Sequence, residues 1–494
     1  MMYKPTIGLE IHVELKTKTK MFCSCLNNSR ETIPNKNVCP ICLAHPGVLP
    51  TPNKEAILDV IKVGLATNGE ILKQSFFDRK NYFYPDLPKG YQISQYEFPL
   101  VKGGFLEIKN KDGSISKIKI TRIHLEEDTA RLIHPEGKDY SLVDFNRAGI
   151  PLMELVTEPD IHSSYEARVF AQNLQLILKY LGVSNASMEE GEMRVEPNIS
   201  VSKTDKLGVK VEIKNLNSFR SLEEAIDYEI KRQIEVLENG GEIKQENRGW
   251  LEAKRITHEQ RSKEFAHDYR YFPEPDLTPI VILDDNGEIN LDNLRQTLPE
   301  LPGVRKKRYV KEFNLSENEA EILTINKDLG DYFENVTSEI SLLTSRNNLR
   351  AEDYKKLLKI SFNFLTSDLL GLMADNNLSI GDIKISPKNF AELIFAFYNG
   401  KISSRVTKDS LAIMISKEIT IEELISQANL EQMSDSKELE KIIEKVLTQN
   451  EKVVLDYQNG KTNALQFLIG QVIKETKGRA NPKIVEELIK NKIS

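Results

Sequence analysis

Hydrophobic and polar residues alternate along much of the first 290 residues of this chain. Alternation with a period of two predicts β-strands whose two faces differ in polarity. Residues 7–15 show it most clearly, because Leu9, Ile11 and Val13 alternate with polar or small positions. Four further runs, bounded by turn-forming residues, predict strands at 115–123, 195–202, 209–213 and 279–283.

Apolar residues spaced three and four positions apart predict helices. Within the first 290 residues they predict helices at 54–67, 165–181 and 222–237. Beyond the Pro-rich stretch 297–303, whose breakers indicate a domain boundary, the helical period predicts helices at 317–323, 352–365, 387–397, 421–427, 436–449, 464–477 and 483–490. The pattern therefore predicts an α+β domain over 1–295, a helical domain over 296–410 and a helical tail domain over 411–494.

Length and composition agree with this picture. The chain has 494 residues, of which 40% are hydrophobic and 29% charged, as is usual for a globular protein of about three domains. Apolar runs stay short of the roughly 18 residues that a membrane span needs, and alternation from residue 7 onwards leaves no room for a signal or transit peptide. We expect a cytoplasmic protein without a membrane segment.

The chain is acidic overall but basic at its C-terminal end. Its net charge is −7, from 67 basic and 74 acidic residues, which argues against a protein that coats nucleic acid through bulk charge. Residues 460–494 nevertheless contain seven Lys or Arg residues against three Glu residues. Such a tail is typical of a segment that binds a polyanion, although a solvated helical surface has the same composition.

The four cysteines lie in one short segment. Cys23 and Cys25 are followed, after thirteen residues, by Cys39 and Cys42. Two short pairs of this kind place four thiolates around Zn²⁺, and four protein ligands leave no open position for catalysis. We therefore expect a structural zinc that holds the loop between the first strand and helix 54–67. Reduced buried thiols or a redox pair are the alternative.

Acidic residues recur on the predicted strands. Glu10 and His12 share one face of strand 7–15, opposite the apolar face. Clusters of carboxylates suit Mg²⁺, which works beside phosphate groups, whereas a single acid is typical of a solvated surface. Alternation places Glu126 and Glu127 on opposite faces, so at most one of them faces a common pocket unless a bulge intervenes.

Cationic and aromatic residues are interleaved at 78–92 and again at 268–273. Such segments bind phosphate or stack a base, or pack as a Tyr-rich loop over a core. The common nucleotide-binding and hydrolase motifs, Gly-x4-Gly-Lys-Ser/Thr, Gly-x-Gly-x-x-Gly and Gly-x-Ser-x-Gly, do not occur in the sequence. The residues alone thus indicate a cytoplasmic, zinc-stabilised α+β enzyme that uses Mg²⁺ and handles phosphate.

Nine longer motifs follow one another in a distinctive order. They are IGLEIHVEL (7–15), DRKNYFYPDLPKGYQISQ (78–95), HLEED (124–128), SLVDFNR (141–147), KNLNSF (214–219), DYRYFPEPD (268–276), GKTNA (460–464), GQV (470–472) and KGRANP (477–482). In this order they closely resemble the B subunits of the aspartyl/glutamyl-tRNA amidotransferase family. The resemblance extends over essentially the whole chain.

The resemblance implies a ligase reaction. ATP phosphorylates the side-chain carboxylate of Glu on misacylated tRNA-Gln, or of Asp on misacylated tRNA-Asn, and ammonia then displaces the phosphate to form the amide. It also implies a heterotrimer, in which an amidase, the A subunit, makes ammonia from glutamine and the small C subunit holds the other two together. The B subunit would carry the kinase step on a cradle-like fold, and its basic tail would hold the tRNA.

The resemblance also assigns roles to individual residues. Those implied in catalysis are Glu10, His12, Lys80, Lys89 and Glu127. Those implied in binding Mg²⁺ are Glu10, His12, Glu127, Glu154, Glu196 and Glu212. Those implied in binding ATP are Lys80, Lys89, Glu154 and Glu212. Glu196 stands where many relatives carry Asp, and Glu126, Glu190 and Glu192 are secondary candidates. A noncatalytic tRNA-binding scaffold is the alternative function, but the intact Glu10, His12 and Glu127 argue against it.

Overall fold

A computed structural model describes residues 3–262, 269–282, 289–428, 436–458, 461, 463–476, 480 and 482–493. The chain divides into two compact units, Met1–Pro302 and Gly303–Ser494. The first unit is β-rich and contains the four-cysteine loop, and the second is helical throughout its described residues. Parts of three family motifs, at 268, 460, 462, 477–479 and 481, lie outside the described residues.

The described strands of the first unit form one ten-stranded sheet and three small sheets. In chain order they are β1 (Lys4–Glu14), β2 (Glu70–Ile71), β3 (Gln74–Ser75), β4 (Asp78–Asn81), β5 (Tyr91–Ser94), β6 (Val101–Lys102), β7 (Phe105–Lys109), β8 (Ile115–Glu127), β9 (Arg131–Ile133), β10 (Leu142–Asp144), β11 (Pro151–Thr157), β12 (Met193–Ser202), β13 (Val211–Lys214), β14 (Glu246–Leu251), β15 (Ile256–Ser262), β16 (Phe272–Pro273) and β17 (Ile280–Val281).

The large sheet has the strand order β15-β14-β13-β12-β1-β11-β8-β6-β2, and β7 also pairs with β8. Its strands pair antiparallel except β13 and β14, which are parallel. β1 lies in the middle, with β11 on one side and β12 on the other. The small sheets are β16-β4-β5, β9-β10 and β3-β17.

One face of the large sheet packs against helices. The helices of the first unit are α1 (Lys54–Ala66), α2 (Ser164–Leu181), α3 (Phe219–Glu238) and α4 (Leu291–Thr297). The core contains the apolar side chains of α1, α2 and α3 together with Leu9, Ile11 and Val13. The predicted alternation along β1 is thereby confirmed, and its polar residues lie on the face away from the core.

Short-range sequence signals determine where these helices begin and end. Asn53 caps α1 by accepting hydrogen bonds from the backbone N–H groups of Glu55 and Ala56. Ser163 accepts one from Glu166 at the start of α2, and Gly182 ends that helix in the left-handed region at φ 72°. Polar oxygens at the N-cap and Gly after the last turn are the residues that these positions favour.

The second unit consists of helices, which include a π-helical segment at Phe364–Leu369. The helices are α5 (Pro302–Phe313, beginning at the last residue of the first unit), α6 (Glu317–Ile325), α7 (Lys327–Arg346), α8 (Ala351–Asn363), α9 (Leu370–Asp375), α10 (Pro387–Tyr398), α11 (Ser404–Met414), α12 (Ile421–Ala428), α13 (Ser436–Gln449), α14 (Glu451–Gln458), α15 (Asn463–Glu475) and α16 (Pro482–Ile493). Their buried side chains form one core over α5–α12 and a separate core over α13–α16.

The helices predicted from sequence are confirmed to within three residues at each end, except that the helix predicted to end at 365 continues through the π-helical segment and α9 to Asp375. The periodic pattern did not single out α4, α5, α7, α9, α11 or α14. Of these, α7 contains Gly330 and several β-branched residues that lower helix propensity. This helix is stabilised by burial of an apolar stripe that includes Phe333, Val336 and Ile340. The stretch at 297–303 ends in Pro302, which begins α5 and suits the first turn of a helix.

Within the described chain, one continuous helical segment, Ala351–Asp375, is long and apolar enough by length and composition to cross a membrane. Its most apolar stretch has a mean hydropathy of 1.3, and 44% of that stretch is buried. Leu357, Leu358 and Phe362 belong to the larger core of the second unit. Packing inside the protein therefore accounts for much of this apolar character, and the helix is weak evidence for a membrane span.

Candidate active site

Charged side chains on neighbouring strands form a layer on the sheet face opposite the helices. His12 of β1 lies across from Glu154 of β11, which lies across from His124 of β8. On the other side of β1, Glu10 lies across from Glu196 of β12. Because directly opposite residues of antiparallel strands share a face, these side chains are neighbours. The charged layer consists of Glu10, His12, His124, Glu126, Glu154, Glu196, Glu212 and Lys214.

Glu154 lies between the two histidines of the layer. Its Oε2 atom is 3.4 Å from Nε2 of His12 and 3.4 Å from Nε2 of His124. Burial disfavours the ionised carboxylate, but attraction to His124 and hydrogen bonds to both imidazoles outweigh it, so the pKa of Glu154 lies well below its usual value. Burial likewise disfavours the charged imidazole, yet the neighbouring carboxylates raise the pKa of His124 to about 9.

The layer contains two groups of three side chains whose ligand atoms all lie within 4.8 Å of one another. One comprises Glu10, His12 and Glu154, and the other comprises His124, Glu126 and Glu154. Burial and repulsion from Glu154 raise the pKa of Glu10. Converging carboxylate oxygens are the donors that Mg²⁺ prefers, and a cation bound here would relieve their repulsion. The residues present therefore fit a divalent cation.

Glu126 and Glu127, consecutive at the end of β8, contact different neighbours. Glu126 lies 3.6 Å from Nζ of Lys80 and belongs to the second of the two groups. Glu127 lies 2.6 Å from Nζ of Lys89 and accepts a hydrogen bond of 2.9 Å from the backbone N–H of Ile93. The structure therefore brings Glu126 into the charged layer and pairs Glu127 with Lys89 beside it.

Glu127 and Lys89 line a cavity of about 270 Å³, which also borders the cysteine loop. Cys23 and Cys42 form part of its wall, and Tyr91 forms another part. The cavity thus joins two features that are far apart in sequence, the cysteine loop and the end of β8.

Two acids and a lysine form the other end of the charged layer. Nζ of Lys214 lies 2.7 Å from Glu196 and 2.8 Å from Glu212. Burial disfavours the ammonium, but the two carboxylates raise the pKa of Lys214 above its usual value. Glu190 and Glu192 instead form ion pairs with Arg30 in a separate cluster.

Sequence reasoning assigned no role to His124 or Lys214. Each lies two residues from a predicted site residue on the same strand, His124 before Glu126 and Lys214 after Glu212. The period of two was therefore the signal that could have found them, because residues two apart on a strand share a face.

The two segments of interleaved cations and aromatics meet beside Lys80. β4, which carries Lys80, pairs with β16, so that Arg79 lies across from Phe272. The ring of Tyr269 lies 5.2 Å from Nζ of Lys80, and Tyr271 stacks on Tyr96 with 4.4 Å between ring centres. Burial disfavours the ammonium of Lys80, but Glu126 and nearby groups raise its pKa well above the usual value.

The four cysteines converge in the loop between β1 and α1. Their sulfur atoms lie within 4.8 Å of one another, and those of Cys39 and Cys42 are 3.9 Å apart. A tetrahedral zinc with Zn–S distances of about 2.3 Å would require S–S separations of about 3.8 Å. A hydrogen bond from Cys23 lowers the pKa of Cys42 to about 5, against the opposing effect of burial. The four thiols fit a structural zinc.

The β-rich unit with its layer of acids and histidines corresponds in sequence to the catalytic domain of one amidotransferase family, and much of the helical unit corresponds to a second domain of that family. Residues 5–288 match the family model described as the GatB/GatE catalytic domain, and residues 350–493 match the GatB domain. The chain belongs to the family of the B subunits of Asp/Glu-tRNA(Asn/Gln) amidotransferases, and it is therefore one component of a multi-subunit ligase. The resemblance seen in the sequence is confirmed.

Three relatives illustrate the extent of the match. The B subunit of the aspartyl/glutamyl-tRNA(Asn/Gln) amidotransferase of Carboxydothermus hydrogenoformans is 45% identical over 497 residues, covering 100% of this chain and 99% of the relative. That of Dehalococcoides mccartyi is 47% identical over 495 residues, covering 99% and 98%. That of Thermotoga maritima is 43% identical over 496 residues, covering 99% and 98%.

Proposed function

We propose that the first unit transfers the γ-phosphoryl group of ATP to the side-chain carboxylate of Glu on tRNA-Gln or of Asp on tRNA-Asn. A carboxylate oxygen forms a bond to phosphorus as the bond from phosphorus to the ADP oxygen breaks. Ammonia then attacks the acyl carbon, phosphate leaves, and loss of a proton gives the amide of Gln-tRNA-Gln or Asn-tRNA-Asn.

The observation that carries this proposal is the convergence of Glu10, His12 and Glu154 with Glu126 on one sheet face. We assign these residues to the Mg²⁺ site, with Glu196 and Glu212 at its far side. Mg²⁺ bound there would neutralise phosphate charge. Burial of His124, Glu126 and Glu154 strengthens their electrostatic contacts, since a site shielded from water screens charge poorly.

A carboxylate nucleophile is already ionised and needs no strong general base. The protein's contribution is therefore to position two anionic reactants and to stabilise the charge on the transferring phosphoryl group. Lys80 suits this role, because the neighbouring carboxylates keep its ammonium charged despite burial. We assign Lys80 to the ATP phosphates together with Lys214, and Lys89 with Glu127 to the activated carboxylate.

The remaining parts of the chain receive roles in the same proposal. Residues 1–295 form the cradle-like kinase domain, stabilised by Zn²⁺ on the four cysteines. Residues 296–410 form a helical domain, whose core extends beyond them through α12. Residues 411–494 bind tRNA through their basic side chains. An amidase, the A subunit, supplies ammonia, and the small C subunit completes a cytoplasmic heterotrimer.

The test uses the purified complex with ATP, Mg²⁺, ammonia and misacylated tRNA. We expect amide formation by the wild type and a loss of about 100-fold or more for His12→Ala, which removes an imidazole from the charged layer. The matched control is His134→Ala, which removes an exposed histidine directly after β9 and should retain activity. Unchanged amide formation by His12→Ala would reject the site, and no amide from the wild type would favour a scaffold function.

A further inference from the structure

Two arginines converge on one buried carboxylate next to the charged layer. Asp128 is 5% exposed, and its Oδ2 atom accepts a hydrogen bond of 2.6 Å from Nε of Arg147 and one of 3.1 Å from Nη2 of Arg194. Its Oδ1 atom accepts a hydrogen bond of 2.9 Å from the backbone N–H of Thr129. Both oxygens of Asp128 therefore accept hydrogen bonds, and the carboxylate positions the two guanidinium groups.

Each guanidinium binds Asp128 through a single nitrogen. Glu14 adds a contact of 3.5 Å to the same Nε atom of Arg147. Within the part of the chain that the structure describes, the terminal nitrogens of Arg147 and the Nε and Nη1 atoms of Arg194 have no hydrogen-bond partner. The side chains are 25% and 37% exposed, respectively. The pair thus keeps unused N–H donors that a ligand can reach.

The register of β12 places this pair next to the charged layer. Arg194 lies directly across from His12 on the neighbouring strand β1. Glu14, which contacts Arg147, is two residues beyond His12 on the same face of β1. Side chains directly opposite on antiparallel strands are neighbours, with their Cβ atoms about 5 Å apart. A ligand held by the two arginines would therefore lie beside His12.

Three other cations of the region contact carboxylates of the layer: Lys80 contacts Glu126, Arg122 contacts Glu154, and Lys214 contacts Glu196 and Glu212. A guanidinium differs from an ammonium because its planar fork can bind one anion along one edge and a second anion along another. Arg147 and Arg194 are arranged in this way, with Asp128 on one side and unused donors on the other.

We propose that Arg147 and Arg194 form an anion subsite that holds an anionic group of the aminoacyl-tRNA, either its side-chain carboxylate or a phosphate at its 3′ end. The inference rests on the proposed function, in which an anionic substrate must enter a face rich in carboxylates. The pair would offset that repulsion beside His12 and orient the substrate through paired hydrogen bonds.

The experiment uses the complete amidotransferase complex and compares Arg194→Met and Arg147→Met with the wild type. We expect each variant to raise the KM for misacylated tRNA about tenfold or more, with the KM for ATP changed less than about twofold, because a charge-assisted hydrogen bond is lost on the tRNA side only. Arg220→Met removes an exposed arginine on α3 and is the matched control. Arg194→Lys and Arg147→Lys keep the charge beside Asp128 and should recover part of the affinity.

Uncharged tRNA, used as a competitive inhibitor, distinguishes the two sources of the anion because it carries the phosphates without the carboxylate. An inhibition constant that rises in parallel with the KM supports a phosphate, and one that stays unchanged while the KM rises supports the carboxylate. The subsite is overturned if the Met variants form amide with a tRNA KM within about twofold of the wild type. Where the Met variants fail to assemble, Arg194→Gln and Arg147→Gln, which remove the charge but keep N–H donors for Asp128, take their place, and a tRNA KM within about twofold of the wild type overturns the subsite in the same way. A wild-type complex that forms no amide would instead reject the proposed function.

Discussion

Oε2 of Glu154 lies 3.4 Å from Nε2 of His12, directly across from it in the pairing of β11 with β1. The contact joins two strands that are separated by more than 130 residues of sequence. It also places a buried, ionised carboxylate in the charged layer, where the two histidines beside it stabilise the charge. Glu154 is therefore the residue on which both three-residue groups depend.

Glu154→Gln keeps the size of this side chain and removes its charge. We expect amide formation to fall about 100-fold and the Mg²⁺ concentration needed for half-maximal rate to rise at least about tenfold, because a candidate ligand shared by both groups is lost. The measurement is amide formation against Mg²⁺ concentration. The control is Glu158→Gln, directly after the same strand, where the carboxylate accepts a hydrogen bond from Thr121. It should leave both quantities unchanged.

Glu126→Gln and Glu127→Gln separate the two consecutive acids. Glu126 belongs to a candidate cation group, whereas Glu127 pairs with Lys89. We expect Glu126→Gln to raise the half-maximal Mg²⁺ concentration about tenfold and Glu127→Gln to change it less than about twofold while lowering the maximal rate. The reverse order of Mg²⁺ effects would place Glu127, not Glu126, at the cation.

Cys39→Ser tests the four-cysteine loop. The wild type should contain about one zinc per chain, and loss of one thiolate should reduce that content strongly and lower the melting temperature. Elemental analysis and thermal unfolding measure the two effects. Ser24→Ala, which changes the residue between Cys23 and Cys25, is the control and should retain the metal. Equal zinc in Cys39→Ser and wild type would rule out ligation by four thiolates.

Asp128→Asn should destabilise the protein in a pH-dependent way. Burial raises the pKa of Asp128, but Arg194 and Arg147 outweigh it and lower the pKa from 3.8 to about 2. A lowered folded-state pKa contributes stability above the unfolded-state value, and this contribution, about 2 kcal/mol here, is lost as the pH falls from about 3.8 to 2. Urea unfolding should therefore show a difference between wild type and variant that shrinks over this interval.

Asp227→Asn, at an exposed position on α3, is the control and should leave the free energy of unfolding unchanged. A difference between wild type and Asp128→Asn that stays constant down to pH 2 would contradict the contribution of the two arginines.

Lys461→Gln combined with Lys474→Gln tests the tail. Lys461 precedes α15 and Lys474 lies on that helix, and both side chains are exposed. If each contacts a phosphate, the double variant should weaken tRNA binding and reduce the slope of log affinity against log salt concentration by about two. Filter binding at several salt concentrations measures both. Lys401→Gln, on the exposed turn after α10, should change neither, and an unaltered slope in the double variant would exclude phosphate contacts at these positions.

Much of the local structure followed from periodicity. The alternation in β1 predicted that Leu9, Ile11 and Val13 are buried and that Glu10 and His12 share the other face, and burial along the strand agrees. The clustering of the cysteines predicted sulfur atoms close enough to bind one metal ion, and their separations confirm this. Both predictions succeeded because they depend on residues close together in sequence.

The composition of the charged layer did not follow from periodicity. Alternation showed that Glu126 and Glu127 face opposite ways but not which of them meets Glu154, because that depends on which face of β8 packs against the helices. His124, Lys214 and Arg194 were missed for a related reason. Their neighbours are determined by the register in which the strands pair, and register is an outcome of core packing and pairing.

The sequence by itself determined the family, the succession of a β-rich and a helical region, most helix boundaries and the cysteine cluster, since these depend on local spacing and on long ordered motifs. Only the tertiary structure decided that β8, β11, β1 and β12 bring their polar residues into one layer, that Glu126 joins it, and that Arg147 and Arg194 share Asp128 beside it. The physical reason is that side chains become neighbours through strand pairing, which brings together residues that local spacing does not connect and, where β1 pairs with β11 and β12, joins segments more than 130 residues apart.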